Sequence, residues 1–390
     1  MLRLHDVTRV TSTNLVPHST IDIDNGKITA VYDELLPAAA DIPVYDAKGA
    51  YAAPGFVDIH LHGGGGISFM DATPEQVCEA CTAHARHGTT TIVPTSFTGS
   101  TQNLLAMIRS VREVQGIVKS CTIAGVHLEG PFLSPAQCGA QDLSTMLTPC
   151  EETWAPLLNE WPEGIRIVGA APEIEGGMAL GEELQKRGIV ASIAHSDAEY
   201  ADCATALEHG YTDITHIYSG CSIVHRTNAY RHGGVVEAGL LEDGFTVQVI
   251  ADGKHLPPEL LKLIYKCKGP SKISLITDAL SPAATDFPEG TVFPSSNGED
   301  MVLEDGVMKL ISRQAFAGSI ATTDRLVRNM VQLAGVPLWD AVTMASTTPA
   351  RVIGMEKQKG LLLPQFDADI VLLNPDLHVQ AVLSRGEFVK

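Results

Sequence analysis

Residues 54–66 read Pro-Gly-Phe-Val-Asp-Ile-His-Leu-His-Gly-Gly-Gly-Gly, an apolar segment that carries two histidines and runs into four glycines. Successive side chains of a β-strand point to opposite faces, so His60 and His62 project to the same side and can bind one cation. The small glycines let the chain leave without covering that cation. The stretch therefore predicts a β-strand that ends in a metal site.

Four more polar residues stand at the carboxyl ends of other apolar, β-branched runs. Charged or titratable side chains are disfavoured in buried parallel strands unless they are paired or bind a metal. Their repeated placement at strand ends therefore favours a metal centre. These residues are Glu129, His195, His216 and Asp278.

Eight short apolar runs lie between residues 54 and 278, and segments with helical character separate most of them. Such alternation predicts parallel strands with right-handed crossovers, and eight of these strands close into a (β/α)8 TIM barrel. The polar strand ends would then meet at one mouth of the barrel, where barrel enzymes carry out their chemistry. The runs are 54–62, 89–95, 120–129, 165–171, 188–195, 211–216, 245–252 and 272–278.

The two ends of the chain predict a smaller domain. Short alternating runs fill residues 1–50, where Asn25-Gly26 is typical of a tight type I′ turn, and residues 368–383 contain two more strand-like runs. The predicted division is a small β-sandwich domain from residues 1–53 and 358–390, and a catalytic barrel from 54–357 with a β-hairpin insertion near 287–312.

Composition limits the classes of partner. A formal charge of −19, from 46 acidic and 27 basic residues, argues against nucleic acid and anionic membranes as partners. No apolar run approaches the ~20 residues that cross a bilayer, and the N-terminus lacks the apolar core of a signal peptide, so we expect a cytoplasmic protein. The eight cysteines show no regular framework, and we expect reduced thiols.

The proposed ligands are histidines and glutamate without cysteine, which is typical of catalytic rather than structural zinc. A metal held in this way lowers the pKa of its bound water to about 7 and polarises a carbonyl group. Asp278 is the best-placed proton shuttle, accepting a proton from the water and delivering it to a departing amine. A structural metal ligand or a helix cap is the alternative role for Asp278. Zinc is the favoured metal, and such sites also accept iron, manganese or cobalt.

Several motifs resemble the amidohydrolase superfamily and, within it, the N-acetylglucosamine-6-phosphate deacetylase family, over nearly the whole chain. Residues 54–62 resemble the first-strand motif of the superfamily. The motif at 127–132, His-Leu-Glu-Gly-Pro-Phe, is discriminating because many other amidohydrolases use a modified lysine where this family uses the glutamate of the third strand. The resemblance implies hydrolysis of the acetamide of N-acetylglucosamine 6-phosphate. Further similar motifs are at 194–196, 215–218, 250–255, 277–279 and 317–319.

The resemblance also implies roles for individual residues. By position, Glu129, His195 and His216 match the main metal site and Asp278 the acid/base. The pair at 60 and 62 matches an optional second metal site, so one or two divalent ions per subunit are expected. In this family some substrate contacts come from the neighbouring subunit, so a homodimer is expected. The residues that match substrate-binding positions are Ala140, Gln141, Ser219, Gly220, His255, Phe316, Ala317 and Gly318.

Phosphate recognition is where this chain departs from the family pattern. The family usually continues Asn-Ala-Met after the Thr-His-Ile-Tyr motif, and backbone amides of that segment help to bind the phosphate. This chain instead has a longer segment at 219–233 that begins Ser219-Gly220. Alignment from His255 selects Arg231 as the phosphate-binding arginine, whereas alignment from His216 selects Arg226. Either side chain suits bidentate binding of a phosphate.

Two other functions stay open. An amidohydrolase that acts on another N-acyl sugar, an N-acyl amino acid or a cyclic amide would use the same metal chemistry, and the altered 219–233 segment keeps this alternative. A catalytically silent barrel that serves as a binding protein is the second, although such a protein would be expected to have lost a ligand or Asp278.

Overall fold

Parallel strands form a nearly closed barrel in the computed structural model of the protein, which describes residues 1–37, 41–294 and 299–390. The barrel strands are Phe56–Leu61 (β1), Thr89–Ser96 (β2), Val126–Glu129 (β3), Ile165–Ala170 (β4), Val190–Ile193 (β5), Tyr211–Ile214 (β6), Thr246–Val249 (β7) and Ile273–Leu275 (β8). Ladders join them in chain order from β1 to β8. No ladder joins β8 to β1 among the described residues, but beyond the end of β8 the amide of Asp278 donates to the carbonyl of His60 at 2.9 Å. The predicted (β/α)8 barrel is confirmed.

The third predicted run, 120–129, is interrupted. It forms a short strand, Thr122–Ile123, and then β3. Between them Gly125 has φ +148° and passes so close to the carbonyl of Gly164 that a Cβ atom would lie 2.2 Å from its oxygen. Only glycine fits this position, and the ladder breaks there.

Helices connect the strands and pack against them. The helix Pro74–Ala85 begins with a capping box, in which Thr73 and Gln76 each accept a hydrogen bond from the backbone amide of the other. No helix among the described residues is both long and apolar enough to span a membrane. The helices are Pro74–Ala85, Thr101–Val114, Glu151–Glu160, Gly177–Arg187, Tyr200–Glu208, Val235–Leu241, Pro258–Lys268, Thr323–Gln332, Leu338–Ala345 and Thr347–Val352.

Strands from both ends of the chain join one mixed sheet with its own apolar core. Asn25 and Gly26 have φ +48° and +76°, as the predicted type I′ turn requires. The strands of this sheet are Leu2–Val10, Leu15–Asp24, Lys27–Tyr32, Val44–Asp46, Tyr51–Pro54, Ile370–Leu373, Val379–Ser384 and Glu387–Phe388. The division of the chain into two domains at residues 53 and 358 stays a prediction.

Smaller antiparallel sheets lie near the carboxyl ends of the barrel strands. After β8, an antiparallel sheet contributes Phe293, Met301 and Phe316 to the wall of the central cavity. The predicted insertion near 287–312 includes residues 295–298, which lie outside the described residues. The strands of the small sheets are Gly63–Gly64 with Ile67–Ser68, His225–Thr227 with Tyr230–His232, and Val292–Phe293, Met301–Glu304, Val307–Leu310 and Phe316–Gly318.

Candidate metal centre and active site

The structure brings all six predicted metal and acid/base residues together at the carboxyl ends of the strands. Each is buried, and none is more than 8% exposed. They come from β1, β3, β5, β6 and β8 or from the first residues beyond these strands, so five separate strands build one centre. The residues are His60, His62, Glu129, His195, His216 and Asp278.

Three of these residues turn the chain sharply out of its strand. His195, His216 and Asp278 have φ values of +43°, +25° and +49°. Residues with a side chain seldom adopt this left-handed backbone, and such strain concentrates at functional sites. Asp278 is held in place by its own backbone, since its amide donates to the carbonyl of His60 and its carbonyl accepts from the amide of Ser319, both at 2.9 Å.

Glu129 lies at the middle of the centre. Its Oε1 is 3.1 Å from His195 Nε2 and 2.8 Å from His216 Nε2. Its Oε2 is 3.4 Å from His62 Nε2. The carboxylate therefore presents one oxygen to each side of the centre, which is the arrangement that a bridging ligand needs.

Asp278 completes the other side. Its Oδ1 lies 3.1 Å from His62 Nε2 and 3.5 Å from His60 Nε2. In the part of the chain that the structure describes, two groups of donor atoms are close enough to hold an ion: His60 with His62 and Asp278, and His60 with Glu129 and His216. One imidazole nitrogen binds one ion, so His60 can serve only one of these groups at a time.

Each histidine is oriented by a hydrogen bond from its other ring nitrogen. The Nδ1 atoms of His62, His195 and His216 face the backbone carbonyl oxygens of residues 95, 137 and 219, at 3.3, 2.8 and 2.9 Å. Nδ1 of His60 faces the side-chain oxygen of Gln248 at 3.0 Å. A carbonyl oxygen can only accept, so each Nδ1 carries the proton and each Nε2 presents its lone pair to the centre.

These lone pairs require a positive charge between them. His60 Nε2 and His62 Nε2 are only 3.2 Å apart and both lie beside carboxylate oxygens. Burial lowers the pKa of His60, but Glu129 and Asp278 outweigh it and raise the pKa to about 9. Either a proton or a metal ion must therefore occupy the space. Histidine and carboxylate donors without cysteine fit one or two divalent ions.

The carboxylates remain ionised despite their burial. Burial alone would raise the pKa of Glu129, but the charge of His60 and the close contacts with the rings of His195 and His216 hold it well below its usual range. The pKa of Asp278 is also lowered, because the histidines at 60 and 62 outweigh the effect of burial. Both groups are therefore available as ligands, and Asp278 is available as a base.

A cavity of about 380 Å³ opens above this centre. Within its wall, Gln141 donates from Nε2 to Glu129 Oε2 at 2.7 Å, while its own oxygen accepts from the backbone amide and the hydroxyl of Thr98. His255 is oriented by Asp252, whose carboxylate oxygen lies 2.8 Å from His255 Nδ1. All the predicted substrate-binding residues except the two arginines line the cavity: Ala140, Gln141, Ser219, Gly220, His255, Phe316, Ala317 and Gly318.

The structure does not bring Arg226 and Arg231 into this cavity. They face each other across an exposed two-stranded hairpin whose strands pair only with one another. No lysine or arginine lines the cavity among the described residues, whereas Asp71 and Asp142 add acidic charge to its wall. Within one chain neither arginine therefore lines the cavity, because the hairpin is exposed and joins no strand of the barrel, and a role for either arginine in phosphate binding stays a prediction.

Sequence reasoning missed the residues that orient the histidines. Gln248 on β7 contacts His60, and Asp213 on β6 contacts Gln248; both are fully buried. A polar residue in a buried parallel strand was the available signal, the same one that indicated the ligands. The carbonyl partners of the other histidines carry no such signal, since every residue has a carbonyl.

Residues 51–389 match the Amidohydrolase family. N-acetylglucosamine-6-phosphate deacetylase of Bacillus subtilis (strain 168) is 30% identical over 389 residues, which cover 99% of this chain and 96% of the relative. N-acetylgalactosamine-6-phosphate deacetylase of Escherichia coli O157:H7 is 30% identical over 92% of this chain and 93% of its own. The crystal structure of N-acetyl-D-glucosamine-6-phosphate deacetylase from Mycobacterium smegmatis is 32% identical, covers 100% of each chain and superposes with a TM-score of 0.90. With its barrel, its centre of histidines and carboxylates and this full-length similarity, the chain belongs to the amidohydrolase family.

Proposed function

We propose that the protein hydrolyses the acetamide of N-acetylglucosamine 6-phosphate to glucosamine 6-phosphate and acetate. The observation that carries the proposal is the buried centre, where the Nε2 atoms of four histidines converge on Glu129 and Asp278 at the floor of an open cavity. The three relatives named above support the substrate class, since their names are those of deacetylases of N-acetylated amino sugar phosphates.

Glu129, His195 and His216 would hold the main divalent ion, which we propose to be zinc. His60 and His62, beside Asp278, would hold a second ion, with Glu129 shared between the two. A bound metal polarises the amide carbonyl and lowers the pKa of water at the site. The protein supplies the orientation, because the Nδ1 hydrogen bond of each histidine directs its Nε2 lone pair towards the centre.

Asp278 would carry the proton. Its carboxylate lines the cavity, and the lowered pKa keeps it ionised and able to accept a proton from the attacking water. It would then deliver that proton to the amine nitrogen as the C–N bond breaks, which restores the carboxylate. Gln141 and His255, with the backbone of residues 317 and 318, are placed in the wall where they can contact the sugar.

Phosphate binding favours lysine or arginine, and neither type lines the cavity of one chain among the described residues. We therefore propose a homodimer in which the hairpin that carries Arg226 and Arg231 reaches the cavity of the partner. The exposed apolar side chains of Ile223, Val224 and Tyr230, which flank these arginines and are 53%, 49% and 75% exposed, suit burial against a second chain. We also propose a cytoplasmic location.

A second candidate substrate is N-acetylgalactosamine 6-phosphate, the epimer at C4. The relative from Escherichia coli O157:H7 that acts on it is as similar to this chain as the one from Bacillus subtilis. Acetate release from equal concentrations of the two sugar phosphates and of unphosphorylated N-acetylglucosamine separates the possibilities. The proposal expects the largest kcat/KM for N-acetylglucosamine 6-phosphate. A larger value for its epimer would move the substrate to the second candidate, and no release from any of the three would reject the deacetylase.

A further inference from the structure

A buried side-chain relay reaches the metal centre from two neighbouring strands. Gln248 Oε1 lies 3.0 Å from His60 Nδ1, and Gln248 Nε2 donates to Asp213 Oδ2 at 2.7 Å. All three side chains are fully buried. Neither Gln248 nor Asp213 lines the cavity, so neither contacts a substrate there.

The relay has only one polarity. Asp213 also accepts hydrogen bonds from the hydroxyls of Ser192 at 2.9 Å and Thr246 at 2.6 Å, and these donors keep it an acceptor although burial raises its pKa. The amide NH2 of Gln248 must therefore face Asp213, and the amide oxygen must face His60. That oxygen accepts the proton of Nδ1, which leaves the Nε2 lone pair of His60 directed at the metal centre.

His60 differs in this respect from the other three histidines of the centre. Those three are oriented by backbone carbonyls, which no side-chain substitution removes. His60 is the one whose ring is oriented by side chains. The His60 half of the centre therefore has its own structural support, separate from that of His195 and His216.

We propose that Asp213 and Gln248 are positioning residues that determine whether an ion is held by His60, His62 and Asp278. The inference rests on the proposed metal centre but not on the proposed substrate, because metal binding can be measured without any sugar. A merely structural role for the relay would affect folding stability and leave metal affinity unchanged.

The direct test is Gln248→Met, which keeps the volume and removes both the acceptor and the donor. Metal-free protein is titrated with Co²⁺, the ion bound per chain is counted, and its visible absorption is recorded. Loss of a partner that orients a metal ligand weakens metal binding by roughly 10–100-fold. We therefore expect the affinity for one of the two ions to fall by this factor and the affinity for the other to be unchanged. Circular dichroism and the unfolding midpoint establish that the variant is folded.

Thr246→Val is the matched control on the same strand. It removes a hydroxyl that donates to Oδ1 of Asp213. Oδ2 still accepts from the hydroxyl of Ser192 and from Gln248, so Asp213 stays an acceptor and the link through Gln248 to His60 remains. We expect Co²⁺ stoichiometry and affinity equal to those of the unmodified protein. A loss as large as that in Gln248→Met would mean that any polar deletion in this part of the barrel disturbs the centre, and the proposal would be wrong.

An exchange of amide and acid tests the polarity of the relay. Gln248→Glu alone places two carboxylates side by side, and it should weaken the binding of the ion held by His60, His62 and Asp278. Gln248→Glu combined with Asp213→Asn restores a donor facing an acceptor: the amide introduced at position 213 would donate to the carboxylate introduced at position 248, which still accepts from His60 Nδ1. The double variant should therefore recover the affinity for the second ion. A protein that binds a single ion regardless of these changes, or a double variant no better than Gln248→Glu, would overturn the inference.

Discussion

Lys359 joins the barrel to the sheet formed by both chain ends, and we predict that its removal lowers the free energy of unfolding by several kcal/mol. It is 3% exposed, and its Nζ lies 2.6 Å from Asp369 Oδ2, 2.8 Å from Asp367 Oδ2 and 2.9 Å from Thr122 Oγ1. In Lys359→Met the aliphatic volume is kept, but Asp369, which is 5% exposed, loses its only cationic partner among the described residues.

An uncompensated buried charge destabilises a protein by about 3–5 kcal/mol. For a chain of this length that corresponds to a decrease of about 4–6 °C in the midpoint of thermal unfolding. Lys27→Met is the matched control, because Lys27 also pairs with Asp367, at 2.6 Å, but its side chain is 43% exposed. Exposed pairs contribute about 1 kcal/mol or less, so this variant should unfold within about 1 °C of the unmodified protein.

The effect of Lys359→Met should depend on pH. Burial raises the pKa of Asp367, but the ammonium groups of Lys27 and Lys359 outweigh it, so the folded pKa is below the unfolded value of about 3.9. This group therefore contributes stability above that pH and loses it as the pH falls through the folded pKa. Once Asp367 is protonated, the loss of Lys359 destabilises the protein less. Equal unfolding midpoints for Lys359→Met and Lys27→Met at neutral pH would refute the reasoning.

Three predictions concern the active site. Glu129→Gln should lose most bound metal and nearly all acetate release, whereas His60→Asn should weaken the binding of the second ion alone and keep partial turnover. Metal analysis together with kcat checks both variants, and a Glu129→Gln protein that is active without metal would contradict the assignment. Asp278→Asn should lower kcat by roughly 10²–10⁴-fold, the range of general acid/base catalysis. Because Asp278 also faces His62, the substitution should weaken the binding of the second ion as well. Turnover within a few-fold of the unmodified protein would mean that another group moves the proton. Arg231→Ala should lower kcat/KM for the phosphorylated sugar by about 10–150-fold, as expected for one charge-assisted contact, and much less for the unphosphorylated sugar. Arg109→Ala, which removes an arginine paired with Glu160, is the control and should leave kcat/KM unchanged. Equal losses on both sugars would exclude a phosphate contact.

The strand ends that build the centre were predictable because two periodic rules act together. Side chains alternate along a strand, which puts His60 and His62 on one side, and parallel barrel strands end at one face, which brings Glu129, His195 and His216 to the same mouth. Neither rule requires knowledge of the distance between two strands or of the residue that a side chain contacts. Apolar runs that end in a titratable residue were therefore a sufficient signal for the fold and for the position of the site.

What the sequence did not reveal depends on orientation between distant segments. The longer 219–233 segment contains the right residue types for phosphate, but whether Arg231 faces its own cavity is decided by the direction of a hairpin. The link between Gln248 and Asp213 depends on the register of β6 against β7, where Asp213 pairs with Thr246. Local patterns identify buried polar residues, and only the tertiary register determines which of them meet.

The central claim is that the centre around Glu129 deacetylates an amino sugar phosphate with the help of a bound metal. The most direct measurement is acetate release from N-acetylglucosamine 6-phosphate by three samples: the purified protein, the same protein stripped by a chelator, and the stripped protein after addition of Zn²⁺. We predict turnover in the first, loss in the second and recovery in the third. Undiminished acetate release by protein shown to contain no metal would contradict the claim.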